Sequence, residues 1–378
     1  MSNLSYEILL ILTFTVAFLV TYLSIPIIVG VARHVNIFDE PSSRRAHAQN
    51  IPALGGVAIF AGFTISAGSF ISYSLVPSLQ YILVACIIIF FIGIKDDIMT
   101  ISALKKFAGQ IAAAMVLIVP GNLYFSSMHG FMEINFSGIV FSGFYYIPYI
   151  AGVALTLFVI ILVVNSFNLI DGIDGLAASI GMLASAFFGL WFYISGNIEY
   201  CLISVAMFAS LLGFFRFNVF GEKNKIFMGD TGSLIVGLMM AVQVIMFNEK
   251  NIGFTSALTI KSAPAVSIAV LIIPLFDTLR VFLIRMSRGR SPFSADKNHL
   301  HHCLLKLGFS HFQSTLVIVV VNICFIALAL LLQNIGIFWL TMVILSIASA
   351  LTFYVERSVK KNGQNVPAQI KKNRNKSS

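Results

Sequence analysis

The residues of this chain that could do chemistry fall in a few short clusters beside apolar runs. The first is Asn165-Ser166-Phe167-Asn168-Leu169-Ile170-Asp171-Gly172-Ile173-Asp174-Gly175-Leu176. Asn165, Asn168, Asp171 and Asp174 recur every three residues, so on a helix or its fraying end they form one polar ridge. Gly172 and Gly175 permit a turn and the close approach of a ligand. Amides and carboxylates at the mouth of a hydrophobic segment are costly near lipid and read by default as a functional site.

The second cluster is Asp96-Asp97. Adjacent carboxylates repel, and one pKa rises unless a cation is near. Lys105 or Lys106 relieves this, or a metal does. The plain alternative is a solvated helix end; the functional one is a general base or a metal-linked phosphate site. The third is Asp230 in Phe227-Met228-Gly229-Asp230-Thr231-Gly232. It reads either as a helix N-cap or as a hard oxygen ligand. Asn168 with Asp230 supplies the partial shell that Mg²⁺ uses when it also binds phosphates.

The fourth cluster is Asp296-Lys297-Asn298-His299-Leu300-His301-His302. Zinc favours wider ligand spacing with cysteine, and Cys303 is badly placed. Phosphate or sugar contact suits these histidines better. Arg285, Arg288, Arg290 and Lys297 add donors for a polyanion. Arg280 and Asp277, three apart, are expected to pair with each other, and Pro274 to kink their helix. Arg44, Arg45 and His47, ahead of Pro52-Ala53-Leu54-Gly55-Gly56, can meet phosphate or simply anchor topology.

The elements that must position these groups are membrane helices. The chain is 58% hydrophobic and only 10% charged, where a soluble protein carries about 25% charged residues. A span needs roughly 20 apolar residues. Segments fall at about 8–32, 52–73, 78–94, 107–120, 149–168, 176–195, 199–217, 231–247, 264–285, 313–333 and 336–355, which is eleven. Nearly all of the 24 Lys and Arg fall on one side of these spans. Lys250 and Lys261 fall on the other, and Arg280 within a span. The basic side is therefore cytoplasmic, the N-terminus outside and the C-terminus cytoplasmic. Most carboxylates gather at that cytoplasmic face. The reading is an all-α polytopic membrane protein with one catalytic domain, 1–356, and a basic, disordered tail, 357–378.

The net charge of +9 follows from this loop bias and does not call for nucleic acid. The connection from Gly121 to Pro148 lies outside and suits a small surface hairpin. Three of the four cysteines lie in apolar runs and the fourth in a basic loop, so no disulfide framework is expected. No cleavable signal peptide is evident.

Together the clusters closely resemble the polyprenyl-phosphate N-acetylhexosamine-1-phosphate transferase superfamily, glycosyltransferase family 4. The carriers are Pro52 to Gly56, Asp96-Asp97, Asn165 to Gly175, Phe227 to Asp230 and His299-Leu300-His301-His302, in family order. The spaced histidine pattern and eleven spans resemble the bacterial undecaprenyl-phosphate GlcNAc-1-phosphate transferases (WecA/TagO-like) more than the branch that handles UDP-MurNAc-pentapeptide. The resemblance implies attack of undecaprenyl phosphate on a UDP-N-acetylhexosamine at the cytoplasmic face of the bacterial inner membrane, with release of UMP. Other UDP-sugars (GalNAc, QuiNAc, FucNAc) share the motifs.

The resemblance also assigns roles. Asp230 and Asn168 hold Mg²⁺, for which Mn²⁺ can substitute. Asp96 or Asp97 deprotonates or positions the lipid phosphate, and Lys105 or Lys106 binds phosphate. Asp171 and Asp174 line the nucleotide side. His299, His301 and His302, with Arg290, contact the diphosphate and sugar, and Arg45 and His47 join the substrate-binding set. A homodimer is one oligomeric option. The competing class is an ion-coupled transporter, whose acids belong near the bilayer midplane and not at span ends.

Overall fold

A computed structural model describes residues 5–35, 51–73, 76–129, 134–136, 139–141, 146–252, 254, 258–287, 289 and 299–374. Every expected apolar segment is helical. The helices are α1 (Tyr6–Val35), α2 (Gly55–Phe70), α3 (Leu79–Ile98), α4 (Ala103–Ile118), α5 (Tyr149–Ile170), α6 (Leu176–Ile194) and α7 (Ile198–Phe220). They continue with α8 (Gly229–Asn251), α9 (Ala263–Val270), α10 (Ile272–Ser287), α11 (Leu300–Lys306), α12 (His311–Leu331) and α13 (Ile337–Arg374). The protein is an all-α polytopic membrane protein.

Seven of these helices are long and apolar enough to cross a membrane, and an eighth crossing arises if α9 and α10 are one bent span. The other three expected spans coincide with α2, α3 and α4. The first and last of these have 16 residues each, about 24 Å of helix against a hydrocarbon core of about 30 Å. The middle one, α3, carries Lys95, Asp96 and Asp97 in its last turn. The last helix runs unbroken through the position where the tail was expected to begin.

The core is built around α8, whose side chains are buried on every face. Such a helix is apolar all round because it has no lipid or water side. It packs against α2, α3, α5, α6, α7 and α9. Two glycines let neighbours reach its first turn. A Cβ at Gly56 of α2 would sit 2.1 Å from the Gly232 amide nitrogen, and one at Gly93 of α3 would sit 2.4 Å from the Thr231 Cα. Both obstacles are backbone, so no side-chain motion relieves them. Small residues at such contacts are what allow membrane helices to approach closely.

The ninth span breaks. The axes of α9 and α10 differ by 80°. Pro274 lies in the first turn of α10, where it lacks an N–H to give back and its ring crowds the carbonyl of residue 270. The break therefore comes at Leu271, just ahead of the proline. The buried Asn322 of α12 donates to the freed carbonyl of Val270 at 3.0 Å. A non-helical turn inside a membrane protein needs such an internal partner.

The expected hairpin is present. Strands β1 (Ile134–Phe136) and β2 (Ile139–Phe141) pair antiparallel, with Asn135 opposite Val140. The preceding connection is anchored to the far end of α8, where Glu249 accepts from the Ser126 amide at 3.0 Å and hydroxyl at 2.7 Å.

Candidate active site

The end of α3 and the start of α8 meet through one carboxylate. Asp97 Oδ1 accepts from the Asp230 amide at 2.6 Å, and Oδ2 from the Thr231 amide at 3.0 Å and hydroxyl at 2.5 Å. The first amides of a helix have no internal partners and carry partial positive charge. Asp97 satisfies them from another helix. Asp230 is therefore not the cap that the sequence suggested. It lies in the first turn, Met228 holds the cap position, and no side chain of α8 itself supplies the bond. Gly229 turns the chain with φ +72°, and a Cβ there would press on the Asp97 carboxylate. On the other side, Phe227 donates to Pro52, and Gly55 and Gly56 donate to the carbonyls of Phe227 and Met228, each at 2.9 Å. The first-loop glycine motif and the Met228-Gly229-Asp230 turn thus fold as one unit.

Freed from capping, the Asp230 side chain meets a cation. Lys106 Nζ lies 2.9 Å from Asp230, 3.1 Å from Asp96 and 3.4 Å from Asn168 Oδ1. Asn168 donates in turn to Asp230 and, at 2.9 Å, to Ser233. Asp96 also accepts the Ile101 amide at 2.8 Å. So Lys106 relieves Asp96 while helix amides relieve Asp97. Lys105 is exposed and forms no ion pair among the described residues.

The ridge beginning at Asn165 divides because α5 stops at Ile170. Asn165 bonds to Gln110 of α4 at 2.8 Å and to its own helix, so its role is helix packing. Asn168 joins the cation cluster. Asp171 has no hydrogen bond or ion pair among the described residues. Burial pushes its carboxyl well above the ordinary carboxylate value, and the charges of Asp230, Asp97 and Asp174 add to that. Asp174 faces away. It pairs with Lys225 at 2.7 Å and His311 at 3.4 Å, and its carbonyl accepts from Thr315. Burial tends to raise Asp174, but the bonds from His311 and Lys225 outweigh it and hold the carboxyl below the ordinary value.

Three of these partners carry little sequence signal. Lys225 reads as a topology-setting charge, His311 as the first residue of a capped helix, and Asn218 as one polar residue near Arg216. Yet Asn218 accepts the Gly175 amide at 2.6 Å and donates to the Ile226 carbonyl at 2.9 Å. It fixes the left-handed Gly175 (φ +78°) from which α6 starts.

The histidines stand over Gly172. A Cβ on Gly172 would lie 2.3 Å from His301 Nε2, which is why the position must be glycine. That nitrogen is buried with no hydrogen-bond partner. Burial, with the charge of His302 added, drives the His301 pKa down to about 3, so the imidazole is neutral near pH 7. His299 Nδ1 lies 2.8 Å from Asp277, and His302 packs against His301 with ring centroids 4.3 Å apart. Arg280 and Asp277 pair at 2.9 Å, as their spacing suggests. Arg44, Arg45, His47, Arg290, Asp296 and Lys297 lie outside the described residues.

The donor set fits a hard divalent cation that shares its shell with phosphate. The Lys106 ammonium sits among the very oxygens, from Asp230, Asp96 and Asn168, that such a cation takes. The Asp171 carboxyl lies near enough to feel the charges of Asp230, Asp97 and Asp174. Among the described residues no three His, Cys, Asp or Glu close into a protein-only cage. An apolar cavity of about 540 Å³ lies elsewhere, between α1, α6 and α7, lined by Leu10, Phe14, Ala186, Leu190, Val205 and Phe208.

Acids, an ammonium and the neutral His301 converging at one end of a helical membrane bundle define a membrane-embedded phosphotransferase. Comparison with known proteins gives the same class. The model of glycosyl transferase family 4 matches residues 79–248, from α3 through most of α8. The undecaprenyl-phosphate alpha-N-acetylglucosaminyl 1-phosphate transferase of Escherichia coli O157:H7 is 31% identical over 290 residues, 76% of this chain and 74% of that protein. The decaprenyl-phosphate N-acetylglucosaminephosphotransferase of Mycobacterium tuberculosis (strain CDC 1551 / Oshkosh) is 33% identical over 324 residues, 80% of this chain and 77% of its own. The chain belongs to glycosyl transferase family 4, as its motifs imply.

Proposed function

We propose that this enzyme transfers N-acetylglucosamine 1-phosphate from UDP-GlcNAc to undecaprenyl phosphate, with Mg²⁺, at the cytoplasmic face of the bacterial inner membrane. The product is the lipid-linked sugar diphosphate that starts a cell-surface glycan such as O antigen or teichoic acid. The observation that carries this reading is the Lys106 ammonium held by Asp96, Asp230 and Asn168. A site that gathers acids around a cation suits two polyanionic substrates brought together through charge neutralisation. The names of the GlcNAc-1-phosphate transferase relatives support the sugar, and the one-sided Lys and Arg distribution supports the cytoplasmic face.

In this mechanism an oxygen of the lipid phosphate attacks the β-phosphorus. The bond from that phosphorus to the bridging oxygen breaks, and the electron pair leaves with UMP. Mg²⁺, when bound by Asp230 and Asn168, supplies charge neutralisation on the diphosphate. Asp96 accepts or holds the proton of the lipid phosphate, because Asp97 is committed to the amides of α8. Lys106 holds a phosphate oxygen. Asp171 faces the diphosphate, and Asp174, clamped by Lys225 and His311, shapes the nucleotide side. His301 meets the sugar phosphate as a neutral hydrogen-bonding group, with His299 and His302 beside it. Lys105, Arg45 and Arg290 supply further positive charge for the substrates, and His47 a hydrogen-bonding group. The prenyl tail runs along the apolar groove of Ile273, Phe276, Val317, Val321 and Phe325, next to Asp277.

The test is UMP release by purified protein given undecaprenyl phosphate, Mg²⁺ and a panel of UDP-N-acetylhexosamines. UDP-GlcNAc is expected to be the fastest donor. Faster release with UDP-GalNAc, UDP-QuiNAc or UDP-FucNAc reassigns the sugar. No UMP from any donor rejects the reading.

A further inference from the structure

Arg280 and Glu356 lie away from the acid cluster, on α10 and α13, yet they join the histidine helix through a chain of alternating charge. Helix α11 has seven residues, too few to be stable alone. Its N-cap, His299, supplies no side-chain bond to the first turn. The acceptor comes from α10 instead. Asp277 Oδ1 takes the Leu300 amide at 3.1 Å and Arg280 at 2.9 Å, while Oδ2 faces His299 Nδ1 at 2.8 Å. One carboxylate therefore both caps α11 and orients its first histidine. The contact between His299 Nδ1 and Asp277 sets the direction of the ring.

That carboxylate is only 4% exposed. A buried carboxylate left without a cation is strongly unfavourable, so the geometry depends on Arg280. The guanidinium does not stop there. Its other terminal nitrogen pairs with Glu356 of α13. A planar guanidinium bonded on two sides by carboxylates has its plane and depth fixed. We infer that Arg280 and Glu356 are positioning residues, holding α11 and its histidines over Gly172 through Asp277. This rests on the transferase reading for its kinetic consequence but not for its geometry.

The prediction follows from misplacement. A shift of about 1 Å in a group that touches the reacting phosphates costs on the order of a hundredfold in rate. Glu356→Gln removes the outer link and is expected to lower kcat about tenfold, and Arg280→Gln about a hundredfold. KM for the UDP-sugar should stay within about twofold, because α11 is displaced and not removed. The two residues act in series, so the double variant should lose no more than Arg280→Gln alone. Glu356→Asp, which restores the carboxylate, should recover most of the rate.

A second readout does not depend on turnover. Peptide-resolved labelling with diethyl pyrocarbonate reports access to His299 and His301, which are now 4% and 2% exposed. Labelling of both should rise about fivefold in Glu356→Gln, and return with Glu356→Asp. Unchanged kcat in Glu356→Gln, additive losses in the double variant, or a rate loss without increased labelling overturns the proposal. A loss of activity that Glu356→Asp fails to restore also overturns it. Wild-type protein that releases no UMP, with labelling that still rises in Glu356→Gln, rejects the transferase reading and leaves the hold on α11 standing.

Discussion

Asp97 and Asp230, 133 residues apart, are joined back to front: the carboxylate of Asp97 accepts the backbone amide of Asp230 at 2.6 Å. This contact leaves the Asp230 side chain free to face Lys106 and Asn168. It also divides the adjacent pair Asp96-Asp97 into two jobs. One carboxylate holds the start of the central helix, and the other faces the site.

The division is open to mutation. Asp97→Asn weakens three hydrogen bonds to a carboxylate at the start of α8, with a cost to stability of about 2 kcal/mol or more. It should lower the unfolding temperature in detergent as well as the activity. Asp96→Asn should abolish most turnover, about a hundredfold or more, with an unfolding temperature close to wild type. Paired measurements of thermal unfolding and UMP release check this. The reverse pattern, with stability lost at Asp96 and only rate lost at Asp97, exchanges the roles.

The two lysines of α4 separate in the same way. Lys106 sits between Asp96, Asp230 and Asn168, whereas Lys105 is exposed. Lys106→Gln should reduce kcat/KM on the order of a hundredfold or more. Lys105→Gln should stay within about threefold, and the residual effect should fade with added salt, as expected for an exposed charge. A large, salt-insensitive loss at Lys105 would place that residue in the site.

Asp171 supplies a pH test with a definite sign. Its folded pKa lies well above the ordinary carboxylate value of 3.8, first through burial and then through the charges of Asp230, Asp97 and Asp174. The folded protein thus binds a proton there that the unfolded chain has already released. Such a group contributes stability below the unfolded pKa and loses it as pH rises through the folded pKa. Asp171→Asn, which cannot ionise, should therefore unfold at a higher temperature than wild type at neutral pH. The gap should widen from pH 4 upward and shrink when Mg²⁺ is added, while turnover is lost. A variant less stable than wild type across that range would show that the Asp171 carboxylate has a structural partner.

Much of this site is legible in the chain itself. The acids stand out because each interrupts or ends an apolar run, and the Asp277–Arg280 pair follows from i, i+3 spacing. Lys105 or Lys106 could be read as a partner for Asp96-Asp97 because only a short loop separates them, and the fold selects Lys106. What stays hidden is non-local. Nothing near Asp97 announces a helix start 133 residues on, so a cap by Asp230 itself stands beside the ligand reading in sequence. The run Asn165, Asn168, Asp171, Asp174 has helical spacing, but α5 ends at Ile170 and sends its polar groups in four directions. Lys225 and His311 carry ordinary loop signals, and only the fold brings them to Asp174. Nothing in the local sequence marks Gly56 and Gly93 as the places where α2 and α3 touch the backbone of α8.

The transferred phosphorus is the most direct witness to the whole account. Purified enzyme is given undecaprenyl phosphate, Mg²⁺ and UDP-GlcNAc labelled with ³²P at the β-phosphorus, and the lipid and nucleotide products are separated. The expected result is label in the lipid-linked sugar with unlabelled UMP released, in amounts that match. Label that stays with the nucleotide as UDP would mean that the sugar alone is transferred, and would contradict attack at the β-phosphorus.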